Sequence, residues 1–211
     1  MARIPAAALD GAGLDGVEGD VLRRILDRRG GALRPLDEVL LHSPELADGW
    51  NGLLGAIRDR LALPAAVREL VILRIAVLNG ASYEWAAHEP IAGFSEERLS
   101  ALRSGDVGPF DSRERAVLAY TDGLVLDGGR VHDEVFAVLR AHLPDEQILE
   151  LTYVTCLYEM HATMARALRL EWDDRPDPIV EVPAPEGYGS RDIADEVTVR
   201  REEPTTRRSV T

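Results

Sequence analysis

Residues 69–88, ELVILRIAVLNGASYEWAAH, decide how this chain folds. Up to Leu78 the segment is apolar apart from Glu69 and Arg74, as suits a helix buried on nearly every side. Asn79-Gly80 supplies a turn, and Ser82 is a candidate N-cap for a second helix running to about Ala92. Glu84 and His88 stand four residues apart on that helix and so project from one face. Glu69 lies 11 residues before Gly80 and His88 eight after it. At about 1.5 Å rise per residue, both sit roughly 12–17 Å from the turn. If the helices fold back on each other, Glu69 and His88 end at similar heights. The result is a candidate acid/base site of Glu69, Glu84 and His88, with Tyr83 nearby. A lone buried carboxylate is costly, so Glu69 needs a partner, and Arg74 and His88 are the candidates.

Outward from this stretch, helical patterns fill the chain. Ser43-Pro44 reads as an N-cap followed by proline in the first turn. Leu46, Trp50, Leu53, Leu54 and Ile57 then recur at helical spacing. Leu63-Pro64 restarts the chain before the 69–88 segment. Ser95 caps a short helix, and helices follow over 112–126 and 133–141 with Gly128-Gly129 between them. Leu143-Pro144-Asp145 opens a long final helix to about Leu170. No alternating strand pattern stands out, so the expected fold is all-α. Residues 1–35 read as an N-terminal arm with a short helix over Gly19–Arg29, and 36–172 as the helical domain. The stretch 173–211 is rich in proline, glycine and charge, with too little apolar surface to offset the entropy of ordering. Disorder is the expectation there, with Ile179–Val182 as a candidate arm against a neighbouring subunit.

Composition narrows the function. The formal charge is −13, from 37 acidic and 24 basic residues. Such a surface repels phosphate backbones and anionic membranes, so neither nucleic acid nor membrane is an expected partner. No apolar run approaches the ~20 residues of a membrane helix and no signal peptide is visible, so a cytoplasmic location is expected. Every basic residue other than histidine is an arginine, which excludes a Schiff-base lysine and lysine-bound pyridoxal phosphate. The single cysteine, Cys156, lies in a strongly apolar helix and reads as a buried structural thiol.

Four segments, SPELADGWNGL (43–53), PAAVRELVILRIAVLNG (64–80), YEWAAH (83–88) and LTYVTCLYEMHATMARAL (151–168), carry a resemblance. In order and separation they are similar to the carboxymuconolactone decarboxylase and alkylhydroperoxidase D-like superfamily. Peroxidase members use a Glu, a C-x-x-C pair and a His four residues beyond it. Here Glu69 and His88 match the Glu and the His, while Ala81 and Glu84 occupy the cysteine positions. A dithiol peroxidase needs its thiolates, so the chain resembles the cysteine-free, decarboxylase-like branch. That resemblance implies an oligomer-forming helical domain, a trimer or hexamer, acting without a cofactor on a small carboxylated lactone or keto acid. His88 would handle the proton, with Glu69 and Glu84 orienting it or relaying protons.

Each candidate has a plainer reading. Glu84 either faces the pocket or sits solvated in the first helical turn, where the helix dipole favours it. Tyr83 and Trp85 either bind substrate or pack, and His161 either lines the same pocket or is structural. His42, His132 and His142 read as loop or surface residues. Glu84 and His88 with Glu69 or His161 match no recognised metal signature, so no metal is expected. The alternative to catalysis is a relative that binds a small molecule or partner without turnover.

Overall fold

The computed structural model describes residues 2–8 and 17–170, and within them the fold is all-helical. The helices are α1 (Val17–Arg29), α2 (Pro35–Leu40), α3 (Pro44–Asp59), α4 (Ala65–Asn79), α5 (Ser82–Ala92), α6 (Glu96–Ser104), α7 (Ser112–Leu126), α8 (Asp133–Arg140) and α9 (Asp145–Leu168). The expectations for 173–211, including the arm at Ile179–Val182, lie outside the described residues.

Helix α4 is the axis of the molecule and packs against α5, α6, α7 and α9. Leu70, Val71 and Leu73 are wholly shielded from solvent. Encirclement explains the sequence, because a helix with neighbours on most sides has no face on which charge is cheap. It ends at Gly80, whose left-handed backbone (φ 60°) closes the last turn. The Ala81 amide donates back to the Ala76 carbonyl at 2.8 Å, and α5 starts at once. The N-cap position of α5 is Ala81, not Ser82, which is the first helical residue. Ala81 has no side chain that could cap, so this helix start carries no side-chain cap bond.

Other helix starts follow their local chemistry. Ser43 holds extended N-cap backbone ahead of Pro44, and the Ser95 hydroxyl accepts from the Arg98 amide. Asp111 and Glu114 form a reciprocal capping box at α7, with bonds of 2.8 and 3.1 Å. The six-residue α2, too short for periodicity to reveal, is tied down by Asp37. That carboxylate is almost fully buried and accepts from Arg29 Nη2 and the Arg34 amide, each at 3.0 Å.

Two connections fix α9 against the rest. Its Glu150 carboxylate accepts from the Ala62 and Leu63 amides, at 3.0 and 2.7 Å, pinning the loop that leads into α4. Tyr120 and Thr152 share a hydroxyl bond of 2.8 Å between α7 and α9. Helix α1 packs on α3, and its Val21 and Ile25 belong to the main core.

Cys156 corrects the sequence reading, since it is exposed. The buried positions of α9, including Leu151, Val154, Thr155, Tyr158, Ala162 and Ala165, form one stripe at helical spacing. Cys156 falls off that stripe, on an outer face that is also apolar. Two apolar faces made the helix look buried throughout.

Candidate functional site

The reversal at Gly80-Ala81 lays α5 back along α4 and brings Glu69 and His88 into contact. His88 Nδ1 lies 2.7 Å from Glu69 Oε2, and both residues are about 4% exposed. The other ring nitrogen, Nε2, faces Glu84 Oε2 at 3.6 Å, one turn back on α5. Glu84 is 3% exposed, so it points inward and is not a solvated first-turn residue. Its second oxygen, Oε1, meets His161 Nδ1 from α9 at 2.9 Å. This is an ion-pair contact, and Oε1 has no aligned hydrogen bond. Two carboxylates and two imidazoles therefore alternate in one chain: Glu69, His88, Glu84, His161.

Aromatic rings wall this chain. Tyr158, one turn before His161 on α9, stands edge-on to His88 with centroids 5.3 Å apart. Trp50 of α3 stands edge-on to His161 at 5.5 Å. Its indole nitrogen is buried and has no hydrogen-bond partner. The Trp50 indole N–H, beside His161, is a donor that a bound molecule could satisfy.

The electrostatics keep both carboxylates ionised. Burial pushes Glu69 up, but the hydrogen bond and charge of His88, with help from Arg68, bring it below the ordinary carboxylate value. Glu84 follows the same pattern: burial raises it, while contact with His161 and the charge of His88 lower it further. Burial pushes the Tyr158 hydroxyl up to about 12, so it remains a neutral donor; the nearby Arg58 guanidinium opposes that rise. Arg58 is exposed, at the C-terminal end of α3.

Of the expected partners of Glu69, His88 is in place and Arg74 is not. Arg74 instead forms a two-pronged bond to Asp122, at 2.6 and 2.7 Å. The cation at Glu69 is its neighbour Arg68, whose Nε is 3.3 Å from Oε1. Tyr83 is half-buried and makes no hydrogen bond or ring contact with the four-residue chain among the described residues. Trp85 turns toward other partners, since its indole donates to Glu89 at 2.7 Å and Arg103 lies over its ring. His42, His132 and His142 are exposed. Reasoning from sequence missed Trp50, Arg58 and Tyr158. Only Tyr158 carried a local signal, its i, i+3 spacing from His161.

Residues 44–123 match the model of the carboxymuconolactone decarboxylase family. Among solved structures it is similar to an alkylhydroperoxidase AhpD core, an uncharacterized peroxidase-related protein from Ralstonia eutropha JMP134. The TM-score is 0.65 at 20% identity, covering 83% of this chain and 92% of that one. An uncharacterized peroxidase-related protein from Silicibacter sp. TM1040 gives TM-score 0.65 at 17% identity, covering 80% and 90%. The debrominase Bmp8, as a cysteine-to-alanine variant in complex with 2,3,4-tribromopyrrole, gives 0.61 at 18% identity, covering 79% and 89%. These likenesses establish the fold. No curated protein matches the chain. Among the described residues no helix is long and apolar enough to cross a membrane.

Proposed function

We propose that the chain is a cofactor-independent acid/base enzyme acting on a small carboxylated lactone or keto acid, with decarboxylation as the leading reaction. The observation that carries the reading is the Glu69–His88 bond of 2.7 Å, which occupies one ring nitrogen and leaves Nε2 turned toward Glu84. A carboxylate on Nδ1 fixes the tautomer and supports the imidazolium, as in other acid/base pairs. In the reaction, the bond between the ring carbon and the carboxylate breaks and carbon dioxide leaves. Its electron pair passes to the lactone or keto carbonyl as an enolate. His88, as imidazolium, then delivers the proton to carbon and is reprotonated from solvent.

The other residues have parts to play. Tyr158, held neutral, is suited to donate a hydrogen bond to the developing enolate oxygen. Glu84 and His161 would relay protons to and from His88. Arg58, an exposed residue close to Tyr158, supports a carboxylated substrate, because arginine matches carboxylate geometry. Tyr83 and Trp85, expected from sequence to bind substrate, are less favoured now that Trp85 is engaged with Glu89 and Arg103. The family resemblance supports a homo-oligomer, a trimer or hexamer, and the acidic surface a cytoplasmic setting.

The test is turnover of 4-carboxymuconolactone by wild type and His88→Ala, following substrate loss and carbon dioxide release together. Release by wild type that disappears in the variant, with helicity retained, supports the reading. Wild type that binds the lactone but does not consume it favours a binding protein, the second reading. The peroxidase neighbours do not carry over, because Ala81 and Glu84 stand where the thiols would be. The remaining thiol, Cys156, is pushed up by burial and by Glu159 and lies on the outer face of α9.

A further inference from the structure

The indole nitrogens of Trp85 and Trp50 meet different fates. The Trp85 N–H donates to Glu89, one turn further along α5, at 2.7 Å. The Trp50 N–H is buried and has no partner. The residues one turn away from it on α3 are Leu46, Ala47, Leu53 and Leu54, none with a side-chain acceptor. The adjacent Asn51 side chain is engaged with Arg28. The Trp50 ring is held firmly, at 7% exposure within the main core, and stands edge-on to His161. A buried donor with nothing to bond is costly and uncommon in a folded chain. This one lies against the last residue of the Glu69–His88–Glu84–His161 chain.

The rest of the site says what completes that donor. Its acceptors are already engaged, Glu69 by His88 and Arg68, and Glu84 by its contacts with His88 and His161. Donors are what remain for a ligand: the Trp50 N–H, the Tyr158 hydroxyl that burial keeps neutral, and Arg58. A ligand that brings acceptor oxygens completes this set. The donors differ in charge and exposure. A carboxylate belongs with Arg58, a charged and exposed residue, because burying a charge away from a cation is costly. A neutral carbonyl oxygen belongs with the neutral, buried indole.

We propose that the Trp50 Nε1–H donates to the carbonyl oxygen of the substrate and so selects acids that carry a keto or lactone oxygen. The proposal rests on the reading of this site as one for a small lactone or keto acid, and it names the residue that recognises the carbonyl. An acid without that oxygen leaves the indole N–H buried and unbonded. A site with a buried polar group left unpaired discriminates against the ligand that fails to pair it.

The experiment compares levulinate with pentanoate, acids of equal chain length that differ in the keto oxygen alone. Dissociation constants come from NMR titrations of the full chain. They are measured for wild type, for Trp50→Phe, and for a chain with benzothienylalanine at position 50 alone. That isostere keeps the shape of the ring and puts sulfur where the N–H stands, so it decides the matter if the phenylalanine variant folds poorly by circular dichroism. The preference for levulinate over pentanoate should fall by about three- to tenfold in both variants, the usual worth of one neutral hydrogen bond. A preference unchanged in the isostere overturns the proposal, even if Trp50→Phe alters it, because the effect is then one of shape. A wild type that binds neither acid also overturns it. Turnover of 4-carboxymuconolactone is followed in parallel. Turnover with an unchanged preference removes this donor alone, whereas a lost preference without turnover keeps the donor and removes the decarboxylation reading.

Discussion

Helix α4 carries two ion pairs five residues apart, one buried and one part-buried, and they are built for opposite purposes. Arg74 meets Asp122 through two parallel bonds, and its third nitrogen donates to the Leu102 carbonyl at 3.1 Å. An arginine does not give up its proton in a protein. This pair therefore has one state and locks α4 to α7 and α6. Glu69 meets an imidazole, which can take or give a proton near neutral pH. Beyond that imidazole lie a second carboxylate, Glu84, and a second imidazole, His161, with the unpartnered Trp50 indole N–H beside it. The first arrangement is complete; the second has protons to move and polar atoms left to bind something.

The largest effects should come from breaking one pair and then the other. His88→Ala should lower turnover by about 10²- to 10⁴-fold, the usual contribution of a positioned acid/base group. Asp122→Ala should leave turnover per folded molecule within a few-fold and cost about 2–3 kcal/mol of stability. The Arg74 guanidinium would lose two charge-assisted bonds, with the 30% exposure of the Asp122 side chain moderating the penalty. Urea unfolding beside single-turnover kinetics checks both. If Asp122→Ala abolishes turnover in a stable protein, the division between the two pairs is wrong.

A next, smaller effect is pH dependence. Glu69 and Glu84 both titrate below the ordinary value of 4.5 in the folded chain. A lowered carboxylate contributes stability that is fully present above that value and is lost as pH falls through the folded value. Stability should therefore hold from neutral pH down to about 5 and fall in more acid solution. Glu69→Gln and Glu84→Gln should each be less stable than wild type at pH 7, with a shallower acid loss. Thermal melts between pH 7 and 3 measure the slopes. Equal slopes in wild type and both variants would show that these carboxylates are not the acid-sensitive part of the fold.

What the sequence could and could not foretell follows from how far its signals reach. The α4–turn–α5 unit was legible because it is contiguous: an apolar run, an Asn-Gly turn, and Glu84 four residues before His88. The meeting of Glu69 with His88 followed from equal heights about one turn. Arg74 was misassigned because its partner, Asp122, is 48 residues away and nothing local points to it. Arg68 was overlooked because adjacent helical residues do not share a face, yet its long side chain curls back to Glu69. Trp50 and Arg58 come from α3, and only the packed fold brings them to α5 and α9. Cys156 was read as buried because α9 is apolar on two faces. The 149, 153, 156 and 160 spacing that distinguishes the outer face was present in the sequence but blended with the inner one.

The smallest effect should come from Arg58, outside both ion pairs. Arg58 is an exposed residue, so a substrate carboxylate that meets it trades good hydration for a pair still partly in water. For a substrate with a second carboxylate besides the one that leaves, that trade is made in the ground state and the transition state alike. An interaction of equal strength in both states lowers KM without changing kcat. Arg58→Gln should therefore raise KM about three- to tenfold and leave kcat unchanged, and added salt should shrink the difference. A fall in kcat at constant KM would move Arg58 into the chemistry, through its approach to the Tyr158 hydroxyl. Tyr158→Phe would then decide the matter, because without the hydroxyl the same Arg58 substitution should no longer affect kcat.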